Sequence, residues 1–188
     1  MSSKKPISTA PVYQLKVTLK GSSPRIWRRI LVGGDASLAK VHRILQTAMG
    51  WSDSHLHVFR IHGEEYGTPD EGRELDFADE RKVKLTDLLG PKDRFIYEYD
   101  FGDGWLHEIL VEKIVPREEE TRYPICVAGA RACPPEDCGG IGGYFNFLEA
   151  IQDQEHEDHE MLLEWIGGSF DPEEFDLDHI NSALKRVG

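Results

Sequence analysis

Cysteine is scarce in this chain, with three in 188 residues, an odd number. That excludes a dense disulfide framework and makes a reducing compartment the expectation. Long apolar runs are missing too: no stretch approaches the roughly 18 residues that cross a bilayer. Behind Met1-Ser-Ser-Lys-Lys-Pro6 there is no apolar segment of the kind a secretory signal needs, so the expectation is a cytoplasmic chain without a membrane partner. Repeats and low-complexity tracts are absent. The run Gly139-Gly-Ile-Gly-Gly143 lacks the lysine and hydroxyl of a P-loop and follows no clear strand, so it reads as a flexible lead-in to a helix. Basic residues are outnumbered, 22 against 34 acids, and the net charge of −12 argues against a general affinity for nucleic acid.

What is present suffices for one folded unit. A hydrophobic fraction of 39% with 10% aromatics supplies enough apolar surface to offset chain entropy. The charge is also unevenly spread. Residues 1–50 hold nine Lys or Arg against Asp35 alone, whereas residues 151–180 hold eleven acids and neither Lys nor Arg. Such a split suits a partner-binding device, two mutually attracting faces, or plain solvated surface.

Periodicity gives the elements. Tyr13, Leu15, Val17 and Leu19 alternate with polar residues, and Ile26 to Val32 alternates again after Gly21-Ser-Ser-Pro24, so a hairpin is expected with Arg28 on the apolar side. Leu38, Val41, Ile44, Leu45 and Ala48 form a helical stripe, with Ser37 or Asp35 as cap and Gly50 as stop. His55 to Ile61 reads as a strand, 67–80 as a charged loop, and Leu85 to Leu89 as a helical turn. Arg94–Phe101 and Trp105–Val115 make a second hairpin around Gly102-Asp-Gly104. Residues 116–143 gather four prolines and all three cysteines and read as a long ordered loop or small site, not a regular element. Three helical stripes follow, through Tyr144, Phe147, Leu148 and Ile151, through Met161, Leu162, Trp165 and Ile166, and through Leu177, Ile180, Leu184 and Val187, with Asp171-Pro172 as a helix start. The expectation is an α+β domain over 12–188 behind a flexible tail 1–11: an antiparallel or mixed sheet of two hairpins plus a central strand, one helix after the first hairpin, and a helical part at 144–188.

Three constellations carry chemistry. In a strand, His55 and His57 project to one face and can offer two imidazoles to a metal, or they can be buried core histidines. Tyr99, Asp100, Asp103, Trp105 and His107 crowd a tight turn, where carboxylates serve acid–base work or simply hold the backbone; His107 can join the other two histidines if the strands are neighbours, and Trp51 completes a candidate pocket. Cys126, Cys133 and Cys138 fall within thirteen positions and could share a zinc ion with a histidine, although they lack the paired knuckle spacing. The acidic, histidine-bearing run 153–160 reads as a solvated helix surface.

Five segments together resemble the plasmid pRiA4b ORF-3-like family, whose members are also labelled TnpR-type passenger proteins of insertion sequences. They are Arg25-Ile-Trp-Arg-Arg-Ile-Leu31; Leu45 to Trp51 with His55-Leu-His57-Val-Phe59; Tyr99-Asp-Phe-Gly-Asp-Gly-Trp-Leu-His107; Arg131-Ala-Cys-Pro-Pro-Glu-Asp-Cys-Gly-Gly140 with Tyr144 and Phe147-Leu-Glu-Ala150; and Gly168-Ser-Phe-Asp-Pro172. The resemblance implies an accessory protein of a plasmid or mobile element. The TnpR label would imply DNA resolution, but the surroundings of Ser22 and Ser23 do not resemble a serine recombinase motif. The leading expectation is a non-catalytic binding module that contacts nucleic acid or protein through Arg25, Arg28, Arg29, Lys40 and Arg43. The rival is a metal-dependent enzyme or zinc-stabilised domain using His55, His57, His107 and the three cysteines.

Overall fold

The computed structural model describes residues 9–69 and 77–187. Residues 1–8 of the expected tail lie outside the described residues, as do 70–76 in the charged loop. Alternation builds the sheet as expected. Strand β1 (Val12–Leu19) pairs antiparallel with β2 (Trp27–Gly33), and β6 (Arg94–Tyr99) with β7 (Trp105–Val115). Tyr13, Leu15, Val17 and Leu19 are all buried, because one period-2 face of β1 meets the core.

The fold is mixed α+β, with one eight-stranded sheet and five helices among the described residues. The strand order differs from the expected two hairpins plus a central strand. It runs β5-β4-β3-β6-β7-β1-β2-β8. The hairpins are direct neighbours through β1 and β7, and β3 (His57–Ile61) lies third from one edge, between β6 and β4 (Glu64–Gly67). The short strand β4 ends at Gly67, where the expected charged loop begins, and that loop contributes the two-residue β5 (Ala78–Asp79); the two pair in parallel and make the sheet mixed. A second difference lies in 116–143. That stretch holds β8 (Ile125–Ala130), an edge strand on β2, so prolines at 116, 124, 134 and 135 bracket a regular element instead of excluding one.

Helix α1 (Leu38–Met49) covers one face of the sheet. Ser37 caps it by accepting the Lys40 N–H at 3.3 Å, and Gly50 ends it with φ at 81°, a left-handed turn that costs glycine nothing. Helix α2 (Leu85–Leu88) is one turn. Helix α3 (Gly140–Gln152) begins inside the glycine run, where Gly143 N–H bonds to Gly139 O and the Cys138 carbonyl crowds the space a Gly143 side chain would need. In α4 (His159–Ile166) the expected stripe is not buried: Met161 is 59% and Trp165 47% exposed, while Leu162 and Ile166 pack partly on the core. Helix α5 (Leu177–Leu184) is capped by Asp176, and Asp171-Pro172 opens only a turn. No helix among the described residues is long and apolar enough to cross a membrane.

Candidate functional site

On the α1 side of the sheet the core is not uniformly apolar. His42 and Gln46 of α1, His57 of β3 and Glu80 are all buried, although charged or polar groups are rarely placed there unless paired. Helical spacing of four puts His42 and Gln46 on one face of α1, both reaching the hydroxyl of Tyr97 on β6, at 2.8 and 2.9 Å. The His42 and His57 rings stack at 3.5 Å with planes 5° apart. Each ring then finds its own carboxylate: His42 Nε2 lies 2.7 Å from Asp53 Oδ1, and His57 Nε2 2.8 Å from Glu80 Oε2.

Hydrogen-bond chemistry fixes the protons. A carboxylate only accepts, so His57 donates through Nε2 to Glu80, and His42 through Nε2 to Asp53. His42 Nδ1 then accepts from the Tyr97 hydroxyl, whose oxygen in turn accepts from Gln46. Burial opposes ionisation of Glu80, yet the hydrogen bonds from His57 and Thr68 outweigh it and hold the carboxyl below its usual range. Burial, then the neighbouring His57, keeps the His42 imidazole pKa below its ordinary value, and burial pushes the Tyr97 phenol well up. Asp53 holds a left-handed backbone, φ 60°, with its N–H on Gln46 Oε1, so the carboxylate is aimed from a constrained turn.

One ring nitrogen from each of His42 and His57 and a carboxylate oxygen of Asp53 lie within 4.8 Å of one another. These residues, with Glu80, Thr68 and the exposed Arg43, line a cavity of about 570 Å³. A second group, His55, Asp100 and Asp137, meets the same 4.8 Å limit, and His55 borders the same cavity.

The expected site residues divide accordingly. Strand β3 begins at His57, and His55 sits in the bend before it, so the two histidines do not share a face; they enter different groups. His107 enters neither: it is fully buried in a box formed with Trp51 and Tyr97, rings 5.4 and 5.6 Å away. Distant segments do converge, however. Trp51 stacks on Tyr99 at 5.2 Å, lies 5.7 Å from Trp105, and donates its indole N–H to Pro134 O. Asp100, with φ at 57°, takes the turn-holding role by accepting from Gly102, while Asp103 accepts from Gly139 at the start of α3. The three thiols are not brought together with the histidines. Cys133 sits beside Arg28 Nη2 and Met49 Sδ, Cys126 lies in β8, and Cys138 packs on the core with its thiol 4.0 Å from Gly140 O. Burial raises all three, Cys133 to about 11 and Cys138 to about 12, so they stay protonated near neutrality.

The basic residues do not form one face. Arg28 is 3% exposed and donates to the carbonyls of Ala48, Ala130 and Arg131, which removes it from any surface. Arg29 is held bidentately by Glu112. Arg25, Lys40 and Arg43 border three separate cavities. Sequence reasoning missed His42, Asp53 and Glu80. His42 fills a core position of the α1 stripe, which is the one signal that a polar partner awaited it.

A family model for plasmid pRiA4b ORF-3-like proteins matches residues 11–179. The chain belongs to the plasmid pRiA4b ORF-3-like family. It is 41% identical over 179 residues to the uncharacterized protein y4hQ of Sinorhizobium fredii, covering 93% of this chain and 91% of that one. It also resembles the crystal structure of a protein of unknown function, MM3350 from Methanosarcina mazei, with a TM-score of 0.84 and 41% identity over 90% of this chain and 97% of that one. The match to the pRiA4b ORF-3-like family spans α1, β3 and the loops that carry Asp53 and Glu80, so both side-chain groups lie within the family domain.

Proposed function

We propose that this pRiA4b ORF-3-like protein binds a divalent transition metal through His42, Asp53 and His57, in an open site of the type used for metal-activated water. The observation that carries this reading is the meeting of two imidazoles and a carboxylate within 4.8 Å on the wall of a 570 Å³ cavity. Two nitrogens and one oxygen suit zinc, iron or manganese, and three protein ligands beside open space leave a coordination position for water or substrate. Metal sites orient each histidine through its second nitrogen, and here that support is in place: Tyr97 and Gln46 serve His42, and Glu80 with Thr68 serves His57. His42 would hold the ion through Nε2 as the tautomer that carries its one proton on Nδ1, with the Tyr97 hydroxyl oxygen accepting from it.

The nucleic-acid reading draws less support from the geometry, because Arg28 is internal and Arg29 is neutralised by Glu112. Metal content decides the matter. Protein purified without chelator should carry close to one equivalent of zinc, iron or manganese by elemental analysis, and His57→Ala and Asp53→Ala should lose it. A metal-free protein that also fails to take up Zn²⁺ at micromolar concentration ends the proposal.

A further inference from the structure

Outside the inner group, the corner where the loops at 51–55, 99–104 and 134–138 meet is unusually acidic for its countercharge. Asp100 and Asp137 both face His55: Asp137 Oδ1 lies 3.0 Å and Asp100 Oδ2 3.7 Å from Nε2. Glu136 stands next to them, bound to the Ser52 hydroxyl and amide and to the Tyr99 hydroxyl. Among the described residues, no Lys or Arg makes an ion pair with any of these three carboxylates. The Asp100 side chain is largely buried, 11% exposed, and only its Oδ1 is used by the turn, on Gly102 N–H. His55 Nε2 is enclosed yet has no hydrogen bond of acceptable geometry, despite lying 3.0 Å from Asp137. A ring nitrogen buried among carboxylates and left without a directed partner is costly unless something else satisfies it.

We infer that His55, Asp100 and Asp137 form a second divalent-cation site, separate from the inner one, at the edge of the same cavity. One nitrogen and two carboxylate oxygens make a harder donor set than the inner pair of imidazoles, so this site favours Mn²⁺ over softer ions. A cation there supplies the positive charge the three carboxylates lack and gives the His55 lone pair its partner. The Tyr99 ring on β6 packs edge-on against His55 at 5.8 Å and its hydroxyl fastens the neighbouring Glu136, so the His55 ligand leans on a rigid neighbour. Of the second site's residues only His55 borders the inner cavity, and the two sites have no ligand in common, so each stands or falls by itself.

Full-length protein stripped with EDTA and titrated with MnCl₂, with free Mn²⁺ read by electron paramagnetic resonance, tests the assignment. Wild type should bind two equivalents. His55→Ala and Asp137→Asn should each bind one, or bind the second at least tenfold more weakly, while His57→Ala should lose the other equivalent. Asp137 is 70% exposed, so its substitution does not threaten the fold, and an unchanged urea midpoint confirms that. If wild type, His55→Ala and Asp137→Asn bind the same number of ions with the same affinity, the second site is refuted. If His55→Ala removes an ion and His57→Ala removes none, the second site stands and the inner one falls.

Discussion

Acid should weaken this protein in large part through one fully buried interior histidine, His107. His107 is fully buried, and its Nδ1 lies 3.0 Å from the Trp105 carbonyl, to which it donates. Its Nε2, the site a second proton would take, is enclosed without a partner. Burial therefore pushes its pKa down from 6.5 to about 4. The unfolded chain takes up a proton on this ring as the pH falls below about 6.5, and the folded chain does not until about 4. Stability is therefore full above pH 6.5, falls between 6.5 and 4, and loses nothing more from this group below that. At 1.36 kcal/mol per pH unit, the window amounts to roughly 3 kcal/mol, a large share of a typical domain's stability. Urea titrations of wild type and His107→Phe at pH 7, 6, 5 and 4 isolate the effect, since phenylalanine fills the box beside Trp51 but cannot ionise. The gap between the two curves should close or reverse by about 3 kcal/mol as the pH drops. His42, also depressed by burial, adds loss of the same sign to both proteins and cancels in the difference. If the two stabilities fall in parallel from pH 7 to 4, the assignment of the acid loss to His107 is wrong.

Two further outcomes follow from the interior. Arg28→Met should destabilise by about 3 kcal/mol in urea, because the carbonyls of Ala48, Ala130 and Arg131 lose their donor and the guanidinium leaves the ring of Phe175, 4.9 Å away. A change under about 1 kcal/mol would show that the carbonyls find other donors. Cys133→Ala should leave metal content unchanged, since its thiol faces Arg28 and Met49, and at pH 7 iodoacetamide should label Cys126 and Cys133 only after urea is added. Loss of metal in that variant would restore the thiols as ligands.

Much of the scaffold was legible because it follows local periodicity. The alternation in 12–19, the stripe Leu38 to Ala48, and the Ser37 and Gly50 caps all depend on near neighbours in the chain, and all appear as expected. Strand order does not depend on near neighbours. Nothing in β1 says that β7 will be its partner, and β8 was hidden because prolines and cysteines outweighed a six-residue strand whose exposed edge needs no clean alternation. The meeting of segments near 51, 99 and 134 was foreseeable as a density of aromatics and carboxylates. The inner group was not, since Asp53 reads as a loop acid and Glu80 as part of a charged loop. Only the approach of β4 and β5 to β3 places Glu80 beside His57.

The inner group also sets a question of cost. The fold has no need of polar residues here: the same sheet face is filled elsewhere by Leu15, Val17, Ile30, Phe59, Ile109 and Val111, all nearly inaccessible. Placing His42, Gln46, His57 and Glu80 among them carries desolvation that apolar residues of similar volume would avoid, and burying paired charges commonly loses to such a replacement. Two imidazoles stacked at 3.5 Å add a further constraint, because both cannot be protonated without strong repulsion at that distance. Yet Gln46, Tyr97, His42 and Asp53 Oδ1 are linked in an unbroken series of hydrogen bonds of 3.0 Å or less, so the arrangement is an ordered network and not a packing defect. A structural network of that kind closes on itself inside the core. This one ends at Asp53, 49% exposed on the wall of an open cavity, and burial, which lowers the His42 pKa, favours the unprotonated ring nitrogen that a metal ion needs.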